Sequence, residues 1–325
     1  MASGPAALAH GELAWLALMR QQFETALQHI ASGLPWARQA AALPWREGGH
    51  AAYELQLRVI GIEVLLVQQQ WRPARAAVVE ALATMPPRRR RERLSLLLQR
   101  SRTEIHLGEL EQARRTCDEA AACAAELDVA RLRADATNAL AEVARIQGDL
   151  ATLERAACQA EELARGAAHA MGLAQALERR GAAAAARGDL VSARALWADA
   201  QRQYEAQGVS QNALDVRAEL AELDRRAGRV EAATGSALAV LTEARGDAAA
   251  DSTTDPWPLL GPEALLRCHA ILAEAGRAEA VPLRHELQRR LRQQLAQLPD
   301  ETARQRLLQA LPHWRETARL CPEAA

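Results

Sequence analysis

Small and apolar positions along this chain keep a fixed phase to glycines spaced 40 residues apart, at Gly108, Gly148, Gly188 and Gly228. The words around them are Gly-Glu-Leu at 108–110, Gly-Asp-Leu at 148–150 and 188–190, and Gly-Arg-Val at 228–230. Seven residues before each glycine stand Ser101, Ala141, Gly181 and Ala221. Five residues after it stand Ala113, Ala193 and Ala233, with Leu153 departing, and twelve after it Ala120, Ala160, Ala200 and Val240. Nine after it the column is uneven, Cys117, Ala157, Trp197 and Ala237, and only Trp197 is bulky. Small side chains at a helix crossing let two backbones approach closely. A period of this size marks a stack of supersecondary units, none of which can bury its apolar face alone. The pattern predicts A helices over 92–107, 130–147, 171–187 and 212–227, each followed past its glycine by a B helix. The phase continues more weakly through Gln21-Gln22-Phe23, Gln69-Gln70-Trp71 and Gly276-Arg277-Ala278, which adds A helices over 53–68 and 262–275.

Three stretches interrupt the array. Leu34 to Gly49 carries Pro35, Pro44, Gly48 and Gly49 beside Trp36 and Trp45, and reads as a loop because proline breaks a helix. Met85-Pro86-Pro87 followed by Arg88 to Arg91 is a second break, and Gly246 to Pro262, rich in Asp, Thr and Pro, reads as an exposed linker. From Pro282 to Cys321 the chain is helical and charged, broken at Pro299 and Pro312. The expected organisation is N-terminal hairpins over 1–85, core repeats over 86–245, a linker over 246–262, and a last hairpin with capping helices over 263–325.

These columns resemble the tetratricopeptide (TPR) repeat, with its small residues at the helix-A crossing and in helix B around a Gly-Asp turn. The resemblance covers roughly residues 92–245 and departs in length, 40 residues against ~34 in the family. It implies an all-α, right-handed superhelical α-solenoid of about seven helical hairpins. The longer hairpins, and the words LPDETARQRLLQALPHWRETARL at 298–320, resemble the C-terminal repeat regions of bacterial LuxR-type and signal-transduction ATPase regulators.

Composition agrees with helix. Ala, Leu, Arg, Glu and Gln dominate, all good helix formers, while aromatics are only 3% and could not fill a sandwich or barrel. Every basic residue is arginine, so neither a Schiff-base lysine nor a P-loop lysine is available. A net charge of −1 gives no whole-protein field for nucleic acid or membrane. The five cysteines include no Cys-x-x-Cys pair and read as reduced, buried small apolar residues of a cytoplasmic protein. No apolar run of 18 residues offers a membrane span, and the start lacks a basic n-region. Met1 to Pro5 reads as disordered.

Motifs that carry a mechanism are missing. There is no P-loop and no Gly-x-Gly-x-x-Gly after a strand, so no cofactor is expected. Cys117 and Cys123 face different sides of one helix, and His285-Glu286 meets Arg289 where a second metal-binding histidine would stand. No nucleophile elbow is present. Glu161-Glu162 reads as a solvated pair, and the Arg88–Arg91 run as a solvated loop capping the end of the preceding helix. The expected function is therefore non-catalytic.

In the resembling family the inward residues of helix A line a concave groove. Carried over by phase, these are Arg102 and His106; Asp135, Asn138, Glu142 and Arg145; Gln175 and Glu178; and Asp215, Glu222, Arg225 and Arg226. Polar residues at this spacing suit a partner peptide or helix, though the wet face of an amphipathic helix has the same spacing. The expectation is a protein-interaction scaffold. The alternative is the sensor or effector arm of a bacterial transcriptional regulator, nucleotide cyclase or signalling ATPase.

Overall fold

The computed structural model describes residues 3–20, 22–41, 51–86, 88–245 and 256–322. Among these there are sixteen α-helices and no strand. The first five are α1 (Ser3–Met19), α2 (Phe23–Ala41), α3 (Ala51–Val67), α4 (Trp71–Thr84) and α5 (Arg90–His106). The array continues as α6 (Leu110–Leu127), α7 (Ala130–Gln147), α8 (Leu150–Gly166), α9 (Ala170–Ala186), α10 (Leu190–Ala206), α11 (Ser210–Arg226) and α12 (Val230–Ala244). It closes with α13 (Pro262–Glu274), α14 (Ala280–Ala296), α15 (Glu301–Ala310) and α16 (Pro312–Leu320). The fold is an all-α helical-repeat solenoid, with A helices (odd numbers) and B helices (even numbers) alternating around the expected turns through α14. No described helix is long and apolar enough to cross a membrane.

The Gly-Asp word has a local cause. Gly148 adopts φ 73°, in the left-handed region that costs glycine least, and ends α7 while Asp149 N–H bonds back to the Ala144 carbonyl. Asp149 then caps α8, its Oδ1 accepting from Thr152 N–H at 3.1 Å; Asp189 does the same for Ser192 at 3.0 Å. One dipeptide stops one helix and starts the next.

The chain forms two compact units, Met1–Leu107 and Gly108–Ala325. In the first, Ala7, Ala14, Ala26, Ile30, Ala37 and Leu57 pack α1, α2 and α3 together. In the second, the small columns are buried, from Ala113, Ala120 and Ala141 through Ala200, Ala221 and Val240. Trp197 is the bulky member of its column because it fills the space above Gly181. A Cβ on residue 181 would come within 2.5 Å of the Trp197 Cδ1 and Nε1 atoms.

Several local expectations change. Helix α2 runs through Pro35 to Ala41, because Ile30, Ala37 and Ala40 bury an apolar side that outweighs the one lost backbone bond; residues 42–50, with Trp45, lie outside the described residues. Helix α1 begins at Ser3, with Pro5 in the first turn where no partner for its missing N–H is needed. The described end of the 246–262 linker is docked rather than exposed. Trp257 and Leu260 are buried, and their carbonyls accept from Arg290 Nη2 and Nη1 at 2.7 and 2.6 Å. Residues 246–255 lie outside the described residues. Arg90, Arg91 and Arg93 belong to the start of α5 rather than capping α4, and Arg89 pairs with Glu92 at 2.8 Å. Cys117, Cys268 and Cys321 are buried, but Cys123 is half-buried and Cys158 exposed. Glu161 is not a solvated carboxylate: it is buried and paired with Arg165 and Arg180.

Candidate functional site

Charged side chains from alternate helices of the second unit converge on its inner face. Arg145 on α7 forks onto Glu263 at the start of α13, with Nη2 to Oε1 at 3.0 Å and Nη1 to Oε2 at 3.2 Å. The two residues are 118 positions apart and two A helices, α9 and α11, lie between them in sequence. The unit therefore curls tightly enough for α7 and α13 to meet across its inner face, the channel of the array.

Helix α9 contributes Glu178 and Arg179. Arg179 Nε lies 2.7 Å from Glu142 Oε2 on α7, and its Nη1 2.5 Å from Glu178 Oε1. Tyr204 on α10 donates its hydroxyl to Glu178 Oε2 at 2.7 Å. From α11 come Asp215, which accepts the Gly261 N–H at 3.0 Å, and Glu219, 2.7 Å from Arg267 of α13. His313, in the first turn of α16, places Nδ1 3.4 Å from Glu263 Oε1. The ion-paired residues keep between 12% and 29% of their side-chain surface, so they pack on one another while each still meets some solvent.

The network sorts the protonation states. Burial works against the Glu142 carboxylate, but Arg145 and Arg179 outweigh it and bring its pKa down to about 2. Glu263 is likewise held well below the ordinary carboxylate range: burial opposes ionisation, and Arg145 and His313 overcome it. Asp215 goes the other way. Burial, with the charges of Glu178 and Glu263 beside it, lifts its pKa to about 7, against the Gly261 hydrogen bond. Burial raises Glu219 as well, although Arg267 opposes the shift. Five carboxylates and three guanidiniums thus share one space, and the two carboxylates of α11 are the ones left short of positive charge.

The groove residues expected from phase fall into five places. Glu142, Arg145, Glu178 and Asp215 join the channel network. Gln175, at the repeat phase of Asp215 and one turn before Glu178, is half-buried and makes no hydrogen bond among the described residues. Asp135 and Asn138 tie α7 to the start of α9, Asp135 Oδ1 lying 2.8 Å from His169 Nε2 and Asn138 Nδ2 donating to the Gly172 carbonyl at 2.9 Å. Glu222, Arg225 and Arg226 form a separate cluster on α11. Glu222 is buried and bonded by both arginines, and Arg225 reaches Glu274 at 2.6 Å. Arg102 and His106 lie on α5 in the first unit. His106 stacks on Trp71 with ring centroids 3.8 Å apart, and burial lowers the Arg102 pKa against the charge of Glu63.

Arg179, Tyr204, Glu219, Glu263, Arg267 and His313 were not in the phase-derived set. Arg179 and Glu219 share one column, nine before the glycine, and a search for charged residues in every A-helix column would have found them. Nothing local marks Glu263 or His313, which enter the channel only through the curl of the array.

No protein-family model and no curated protein matches the chain. Solved structures do. A Rap protein complexed with Competence and Sporulation Factor is similar over 99% of both chains, with TM-score 0.56 at 10% identity. BtubC (BKLC) from P. vanneervenii matches over 67% of this chain and 89% of its own, with TM-score 0.54 at 14% identity. A tetratricopeptide repeat protein from Parabacteroides merdae matches over 94% of this chain and 99% of its own, with TM-score 0.50 at 12% identity. At these identities the likeness is one of fold: the chain has a TPR-like helical-repeat architecture.

Proposed function

We propose that this protein is a non-catalytic helical-repeat scaffold, and that the charged channel of its second unit binds an extended peptide or a partner helix. The observation that carries the reading is the convergence of five carboxylates and three arginines from α7, α9, α11 and α13. Side chains held in place by one another form a preorganised surface, which lowers the ordering cost of binding. Carboxylates short of positive charge offer acceptors to a peptide's N–H groups and charged side chains. The Rap protein with its bound factor supplies an analogy of fold for a ligand held by such an array. Arg102 and His106 belong to the first unit and have no part in this reading.

Selection from a random peptide pool tests it. The wild-type protein should enrich a set of peptides, and Glu178→Gln combined with Asp215→Asn should lose about tenfold or more in affinity for them with helicity unchanged. Equal binding by both proteins, or no enrichment by the wild type, would remove the channel as the site.

A further inference from the structure

Helices α15 and α16 do not simply extend the stack. Helix α15 returns to the first turn of the second unit: a Cβ on Gly108 would stand 2.7 Å from Leu307 Cα and 3.2 Å from Leu307 N. Leu307 is itself fully buried. Helix α16 begins at Pro312 and puts His313 on Glu263, the carboxylate that joins α13 to Arg145. The last two helices therefore bridge from the end of the second unit to its beginning, and touch the channel network at Glu263.

This bridge is lightly held. Helix α15 has 10 residues and α16 has 9, lengths at which a helix has little stability of its own. Each buries two residues, Ala303 and Leu307 in α15, Trp314 and Thr317 in α16, whereas α9 and α11 bury seven each. Between the α15–α16 junction and the turns at Leu110 and Gly148 lies a cleft of about 790 Å³, lined by Glu111, Arg114, Gln147, Gln309 and Arg315 among others. Close packing is what resists local opening, and here it is interrupted.

We propose that α15–α16 is a latch that closes the channel and opens without unfolding the repeats. The reading of the channel as a binding site enters only in what the latch admits; closure and opening stand on the contacts just given, so the test needs no ligand. Cys321 follows α16 directly and is buried, with Sγ 3.8 Å from the Arg284 carbonyl of α14. Cys117 and Cys268 are buried within the repeats, and exposed Cys158 marks the rate of an open thiol.

Gly108 and Gly148 supply a matched pair of substitutions. Both have left-handed φ, 72° and 73°, so alanine strains both equally, but only at Gly108 does the new Cβ meet another element. Thiol alkylation followed by peptide mass mapping should label Cys321 about tenfold faster than Cys117 and Cys268 in the wild type. Gly108→Ala should raise the Cys321 rate about tenfold again, with hydrogen exchange over 301–320 rising alongside, and Gly148→Ala should leave both near wild type. His313→Ala, which touches no turn, should act in the direction of Gly108→Ala. Failure of Gly148→Ala to differ from Gly108→Ala would overturn the latch. So would labelling of Cys321 in step with Cys117 and Cys268, which would place α15–α16 in the same cooperative unit as the repeats.

Discussion

Trp197 Nε1 donates to the Glu178 carbonyl at 3.0 Å, and the ring can reach it because residue 181, one turn further along α9, is glycine. The indole thus joins the hydrophobic layer between α9 and α10 to the helix segment that carries Glu178 and Arg179 into the channel.

Substitution at Gly181 should be costly for that reason. Gly181→Ala places a Cβ against the indole and should destabilise by about 1–3 kcal/mol, and Gly181→Leu by more. Arg90→Ala, at an exposed position in the first turn of α5, should stay within about ±0.5 kcal/mol. Chemical denaturation of the three variants checks the ranking, and equal shifts would contradict it.

Arg145 serves Glu142 and Glu263 together. Arg145→Met leaves both carboxylates without their main cation and should cost about 2–3 kcal/mol, below the figure for a fully buried pair because each group retains some solvent. Adding Glu263→Gln should restore part of that loss. A double-mutant cycle measures the coupling, and additivity of the two changes would show that the pair does not join α7 to α13 in solution.

The turn chemistry and the crossing columns were legible in the sequence because both are local: a left-handed glycine, a capping Asp and a small residue each follow from one helix and its neighbour. The A-helix boundary over 130–147 followed directly, and that over 262–275 ran one residue past Pro262–Glu274. Pro35 misled, since the packing of Ala37 and Ala40 on the same helix decides against the break. The channel was only half legible. Glu142, Arg145, Glu178 and Asp215 stand at recognisable phases, but their partners Glu263, Arg267 and His313 come from the other end of the unit. Which of these charges meet depends on the curvature summed over three hairpins, and no single repeat encodes that sum.

Asp215 gives the channel a signature in pH. Its folded pKa of about 7 lies above the ordinary 3.8, so between these values the folded state holds a proton that the unfolded state has lost. Its contribution to stability is therefore present below pH 4 and is lost as pH rises through 7. Asp215→Asn keeps an acceptor for the Gly261 N–H and removes the charge. It should be more stable than wild type by about 1–2 kcal/mol at pH 8, the gap narrowing at pH 5 and closing only near pH 4. The depressed Glu142 and Glu263 act oppositely, losing their contribution only in more acid solution. Melting curves at pH 5 and pH 8 decide it, and a gap that widens toward pH 5 would contradict the assignment.

The claim that the channel is where a peptide binds is tested most directly by photo-crosslinking from two positions. Gln175, half-buried on α9 at the repeat phase of Asp215, makes no hydrogen bond among the described residues, and Val191, 83% exposed on α10, reports on the outer B-helix surface. Benzoylphenylalanine at each position, irradiated with a random peptide pool, should trap peptide at 175 and not at 191. Trapping at 191 with none at 175, while both proteins keep the wild-type fold, would contradict binding in the channel.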